Sequence, residues 1–256
     1  DNNELKNYIK KEITIKKGQP FLRRYLNNYY RRGIDEISIL FEENNVMSQI
    51  EDEVNQLLGF EIVEQNNNQI VIKNVSKVLE KEFDSLLRRL FFIVQNMLDD
   101  LIISIKKNDF NNLKKISEQE KTTNKIYLFC QRVLNKIGYS ETYKIPFLYF
   151  LLEELEQLAD NVNEISRIIQ KNNKMPNSDI LNYIEEFNKF FLLFPKAFYD
   201  FDMLKIKQIR EKKFEITEKL KKQIKLNPLI IHYLLSSVTT LHQIELSFGH
   251  LINIEG

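Results

Sequence analysis

Glycine and proline are scarce in this chain, with 6 and 5 in 256 residues, where ordinary usage gives roughly 18 and 13. So few turn-makers exclude sandwiches and barrels of many short strands and favour long helices. One cysteine, Cys130, cannot close an internal disulfide, which suits a reducing cytoplasmic setting. No apolar run approaches the roughly 20 residues of a membrane span, and Ile145–Leu152 is among the longest. No secretory signal opens the chain, and its first residue is Asp1, so it reads as trimmed or as beginning inside a longer product. A formal charge of +1 exerts no global pull on nucleic acid or anionic lipid. What remains, 43% apolar and 29% charged residues, describes a folded chain with a real core.

Residues 1–75 predict a small α+β module of order βαβαββ. Glu12–Lys16 alternates as a strand does, and Gly18-Gln-Pro20 breaks it. Pro20 at a first helical position opens a helix through Phe21, Leu22, Tyr25, Leu26 and Tyr29, which Gly33 ends. Ile34–Phe41 reads as a strand, and Asn45–Leu58 as a helix stopped by Gly59. Two more strands, Phe60–Gln65 and Ile70–Asn74, flank the turn-forming Asn66-Asn67-Asn68.

Beyond Ser76 the signals are helical, in six blocks near 76–107, 109–137, 143–172, 177–200, 203–226 and 228–254. Pro195 predicts a kink or break in the fourth. In the third, Leu148, Leu155, Val162 and Ile169 recur every seven residues, with Leu151, Leu158 and Ile165 between them. That stripe suits antiparallel bundle packing. The helices fall into two triplets, 76–172 and 173–256, that read as copies of one three-helix unit. Aligning the middle helices sets Ile116 on Ile209 and Tyr127 on Leu220; aligning the last sets Leu155-Glu156 on Ile244-Glu245 and Asn163 beside Asn253.

Catalytic signatures are missing. His232, His242 and His250 all lie in the last block, too far apart along one helix to share an ion. No phosphate-cradling glycine loop or dinucleotide fingerprint occurs, and Cys130 reads as a core residue. The carboxylates say more. Glu153, Glu156, Asp160 and Glu164 form one ridge, either a solvated face or a cation-relieved stack of like charges. Glu120 falls within the inward stripe of Leu113, Ile116, Tyr127, Cys130, Leu134 and Ile137, with Asn124 one turn on. There it calls for a basic partner, a hydrogen-bond network or a metal. The second triplet puts Lys213 and Gly249 where the first has Glu120 and Asp160, so a metal site belongs to the first alone. Residues 1–32 hold nine Lys/Arg against three acids. Arg23, Arg24, Arg31 and Arg32 beside Tyr25, Tyr29 and Tyr30 either grip a nucleic-acid backbone or cover the module's own sheet.

Several of these segments carry a family resemblance. Phe21-Leu-Arg-Arg-Tyr-Leu26, Tyr30–Ile37, Leu58–Gln65, Glu82-Phe-Asp, Asn124–Asn135 and above all Leu155-Glu-Gln-Leu-Ala-Asp160 resemble archaeal proteins related to PhoU, the phosphate-uptake regulator. The resemblance covers 12 to about 172 well and the second triplet more weakly. It implies a mainly α fold, the α+β module followed by two tandem three-helix bundles at 76–172 and 173–256. It also implies a cytoplasmic, regulatory and non-enzymatic role in phosphate homeostasis. The implied partners are a phosphate transporter or signalling protein, with homo-oligomerisation and no membrane insertion. Carried over residue by residue, the family's metal motifs fall on Glu156 and Asp160 of one helix and on Glu120 and Asn124 of another. They imply a divalent or ferric ion in the first unit, although Asn124 stands where the pattern has an acid. Archaeal relatives often begin with a swapped-hairpin DNA-binding domain; none is visible here, so DNA contact needs an upstream domain or the basic segment. The alternative is accordingly a transcription regulator reading DNA through Arg23, Arg24, Arg31 and Arg32. A metal-dependent enzyme on the carboxylate ridge ranks last, since no nucleophile or supported general base can be named.

Overall fold

The structure, a computed structural model, describes residues 8–16, 22–42, 46–76 and 80–251. The N-terminal module has the expected order: β1 (Lys10–Ile15), α1 (Leu22–Arg31), β2 (Glu36–Phe41), α2 (Met47–Val54), β3 (Phe60–Gln65) and β4 (Gln69–Asn74). Then come α3 (Glu80–Lys107), α4 (Phe110–Lys136), α5 (Ile145–Asn172), α6 (Ser178–Phe191), α7 (Leu193–Tyr199), α8 (Met203–Lys222) and α9 (Pro228–Leu251). The fold is therefore mainly α with a small α+β module ahead of a helical region, as the turn-residue shortage requires. Gly18, Pro20, Phe21, Asn45, Asn253 and the ends of the first and last helical blocks lie outside the described residues.

The chain packs as two compact units, Asp1–Leu86 with Asn124–Thr142, and Leu87–Thr123 with Tyr143–Gly256. These do not follow the boundaries expected at 75 and 172: residues 124–142 join the unit that holds the sheet, and α6–α9 share a unit with α5.

In the first unit the strands run in the order β1-β2-β4-β3. β1 and β2 are parallel, as a strand–helix–strand crossover through α1 allows, and the β2/β4 and β3/β4 pairs are antiparallel. Asn66 closes the β3–β4 hairpin, its backbone NH donating to the Gln69 carbonyl (2.9 Å) and its side chain accepting from the Asn68 NH (3.1 Å). Period-two alternation sends Ile37, Ile39, Phe41, Ile70 and Ile72 into the core, where Leu26 and Tyr30 of α1 and Ile50 and Val54 of α2 meet them. Gly33 follows α1 and Gly59 leads into β3, both at φ +79°, a conformation that disfavours any side chain; α2 itself ends at Val54, capped by Asn55, earlier than the expected stop at Gly59. A Cβ on Gly59 would also come within 2.0 Å of the Ser76 hydroxyl.

Helix ends in the second unit follow the polar separators of the sequence. Asp109 caps α4 by accepting from the Asn111 and Asn112 NH groups, both at 3.0 Å. Asn177 caps α6 through the Ile180 NH (3.1 Å), and Asp202 caps α8 through the Leu204 NH (2.8 Å). The break expected from Pro195 falls at Leu192, between α6 and α7. Proline has no NH for the carbonyl four residues back, so the helix restarts and places Pro195 in its first turn. All seven residues of the heptad stripe on α5 are buried, and α9 packs along that helix. Beside them Phe190, Phe194, Phe198 and Phe248 pack edge-on or tilted, at 5.1–6.2 Å between ring centres. Truncating one stripe residue, such as Leu155 (0% exposed), to alanine costs about 2–5 kcal/mol by leaving a void among close-packed neighbours.

Candidate functional site

The acidic motif sits at the margin of the α5 stripe. Leu155, Leu158 and Ala159 are buried, which holds Glu156 and Asp160 half-buried on the adjoining flank. Glu153 and Glu164 are also half-buried, so the ridge is not the freely solvated face of one reading. Glu164 binds Arg167 one turn along at 2.7 Å. On α4, Glu120 and Asn124 are half-buried too. Asn124 belongs to the first compact unit and Glu120, Glu156 and Asp160 to the second. None of the four is without an interaction partner. Among the described residues no three His, Cys, Asp or Glu side chains gather closely enough to hold a metal ion.

The corresponding place in the second triplet is an ion pair whose carboxylate is buried. Glu245, which aligns with Glu156, is 3% exposed. It accepts from Arg210 Nε at 2.9 Å, and His242 Nδ1 lies 3.4 Å from its other oxygen, which no hydrogen bond satisfies. Between α5 and α9, Glu154 faces Thr240 and Gln243; with its nitrogen turned inward, the Gln243 amide donates to both carboxylate oxygens at 2.9 and 3.1 Å. Burial, reinforced by neighbouring Glu153, pushes the Glu154 carboxyl above the usual range, and the Thr240 hydrogen bond opposes this.

The basic segment divides between the module's core and its surface. Tyr30 is fully buried, donates its hydroxyl to the Leu58 carbonyl at 2.7 Å and packs edge-on against Phe60 at 5.0 Å. Arg23 faces Glu53 at 3.7 Å, and Arg31 donates to Asn28 (2.9 Å) and Gln131 (3.4 Å). Arg24 and Arg32 are exposed, as is Tyr25 at 41%. Tyr30 thus serves the module's core, whereas Tyr25 stays on its surface.

Sequence reasoning missed the strongest polar feature. Every residue from Ile126 to Leu134 on α4 is buried, including Gln131 and Arg132. Arg132 donates to the carbonyls of Ile34 (2.6 Å) and Tyr30 (3.0 Å) and to the Asp35 carboxylate (2.9 Å). Its guanidinium lies over the Tyr30 and Phe60 rings at 5.2 and 5.1 Å. Lys136 reaches the other Asp35 oxygen at 2.6 Å, and the Ile9 NH joins it at 2.9 Å. This clamp ties the C-terminal part of α4 to the turn between α1 and β2. An arginine inside an otherwise apolar stretch was its one visible signal; a cation there demands a carboxylate from elsewhere in the chain. The inward stripe expected on α4 also ends sooner than expected, because Ile137 is 46% exposed past the helix end.

The remaining reactive groups are dispersed. His250 stacks flat on Phe147, with centres 4.1 Å apart, and His232 is exposed. Cys130 is buried, and burial pushes its thiol well above the ordinary range, away from a reactive thiolate. No helix among the described residues is long and apolar enough to cross a membrane.

Comparison with known proteins bears on this arrangement. Residues 87–169, which run from α3 to nearly the end of α5, match the family model of the PhoU domain. The clamp residues Arg132 and Lys136 and the motif residues Glu156 and Asp160 fall inside the match, and the α+β module lies outside it. The crystal structure of PhoU from Pseudomonas aeruginosa aligns with 67% of this chain and 92% of that one, at 13% identity and a TM-score of 0.47. A search of curated proteins finds no match.

Proposed function

We propose that the chain is a PhoU-like regulator of phosphate uptake or phosphate signalling, acting by contact with partner proteins and not by turnover. The observation that carries this reading is the PhoU-domain match over residues 87–169. Its polar side chains are spent on holding helices together, which suits a scaffold. Ser117 donates to Asn163 at 2.8 Å, Ser166 to the Leu113 carbonyl at 3.1 Å, and Gln119 to Asp100 at 2.9 Å. The partner is a phosphate transporter subunit or a signalling kinase met in the cytoplasm, and the regulator works as a homo-oligomer. The Glu156–Asp160 flank is offered to that partner as an acidic contact.

The test is cross-linking in phosphate-replete cells, with the linked peptides sequenced. Links from residues 87–169 to a phosphate transporter or its sensor kinase, weakened by Glu156→Lys with Asp160→Lys, are expected. An unlinked chain, or links indifferent to those substitutions, would overturn the proposal.

A further inference from the structure

The whole-chain charge of +1 conceals an uneven distribution. From Met203 to Leu229 the chain carries nine Lys/Arg against three Glu, a net +6, leaving the rest net negative. The same stretch holds the two most exposed large apolar side chains among the described residues, Phe214 at 70% and Leu204 at 67%. Met203 (63%), Leu229 (57%), Ile224 (47%) and Leu226 (46%) accompany them. On α8, burial of Ile206, Ile209, Ile216 and Leu220 fixes which side faces the core. At 3.6 residues per turn, Met203, Lys207, Arg210, Phe214 and Lys221 then share one outer flank within an arc of about 60°.

Some of this charge is already used. Lys205 and Lys207 pair with Asp200 and Glu211, Lys212, Lys219 and Lys221 with Glu215, Glu186 and Glu218, and Arg210 with buried Glu245. Lys213, Lys222 and Lys225 enter no ion pair among the described residues. We propose that the outer face of α8 and the turn after it dock the protein peripherally on a membrane surface rich in anionic phospholipid.

Three observations favour lipid over an acidic protein. Eight of the nine basic residues are lysine, and the lone arginine is engaged with Glu245. Lysine is depleted at protein interfaces, whereas diffuse attraction to an anionic leaflet uses it readily. The exposed apolar side chains are spread along the segment, not clustered in a pocket, so they resemble separate insertions into a fluid boundary more than a protein hot spot. A net charge of +6 on one segment is also the complement of a negatively charged plane. The attachment lies on the membrane and does not cross it, and it is independent of the phosphate-uptake reading.

The chain has no tryptophan, so Phe214→Trp installs a single reporter on the proposed face. The full chain is mixed with vesicles of phosphatidylcholine alone, or with added phosphatidylglycerol, and sedimented. Binding to the anionic vesicles only, a blue shift of the reporter's indole emission and release by salt are expected. Lys222→Gln and Lys225→Gln together lower partitioning roughly 25-fold, at about a fivefold step per lysine. Phe214→Ser lowers it about tenfold with unchanged circular dichroism. Failure to bind anionic vesicles at low salt, or binding indifferent to Lys222 and Lys225, would overturn the proposal. So would capture of soluble polyglutamate without vesicle binding, which assigns the face to an acidic protein.

Discussion

Replacing Asp35 by alanine removes the carboxylate that faces both Arg132 and Lys136 in the clamp. Arg132 is 0% exposed and Asp35 6%, so the loss leaves a buried guanidinium without its counter-charge. Breaking one side of such a pair costs about 3–5 kcal/mol. Arg132 keeps the carbonyls of Tyr30 and Ile34 and the two ring faces, which places the expected cost near the lower end, about 3 kcal/mol. At about 1.4 kcal/mol per factor of ten this is on the order of a hundredfold in the local opening equilibrium. Hydrogen exchange read by mass spectrometry resolves the location as well as the size. Peptides from β2 and from Ile126–Leu134 lose about a hundredfold in protection, while those from α9, in the other unit, keep theirs. Lys136→Met, whose side chain is 19% exposed, costs about 1 kcal/mol or less. Asp35→Ala combined with Arg132→Met costs less than Asp35→Ala alone, because removing both charges relieves the desolvation. A loss under about fivefold in Asp35→Ala, or equal losses in α9, would refute this account of the clamp.

Two further expectations concern the α5–α9 helix pair and its neighbour α8. Arg210→Ala strands Glu245, whose side chain is 1% exposed, and costs about 2–3 kcal/mol, whereas Glu245→Gln frees an arginine that is already 63% exposed and costs less; urea titration showing the reverse order would contradict the pairing. Glu154 has a folded pKa raised above its unfolded value, chiefly by burial. Between those two values the native state holds more protons than the unfolded one, so stability falls as pH rises through that window. Glu154→Gln removes the effect: the variant gains melting temperature relative to the parent as pH rises from about 4 to neutrality, and parallel pH profiles for the two would count against a buried carboxylate there.

Local rules written in the chain account for most of the secondary structure. Gly33, Gly59, Asn108-Asp109, Asp202 and Asn227 each end or begin an element by a chemistry legible in isolation, and the α5 heptads announced a stripe that is buried throughout. What resisted reading was long-range. Arg132 and Asp35 are 97 residues apart, and no periodicity links them. Likewise Glu245 showed in the sequence only as the counterpart of Glu156, and its contact with Arg210, 35 residues earlier, makes it structural. The division of the chain was also hidden: the helical pattern runs unbroken through Thr123–Asn124, where residues change from one compact unit to the other. The candidate acids lie half-buried on helix flanks, and which side chains gather depends on how helices pack, which spacing along one helix does not specify.

The claim that this is a PhoU-like regulator is tested most directly by radiolabelled phosphate uptake in cells lacking the protein and in cells with it restored. Uptake that stays high when phosphate is plentiful in the lacking strain, and falls again on restoration, is the predicted result. Uptake that responds to phosphate identically in both strains would contradict it.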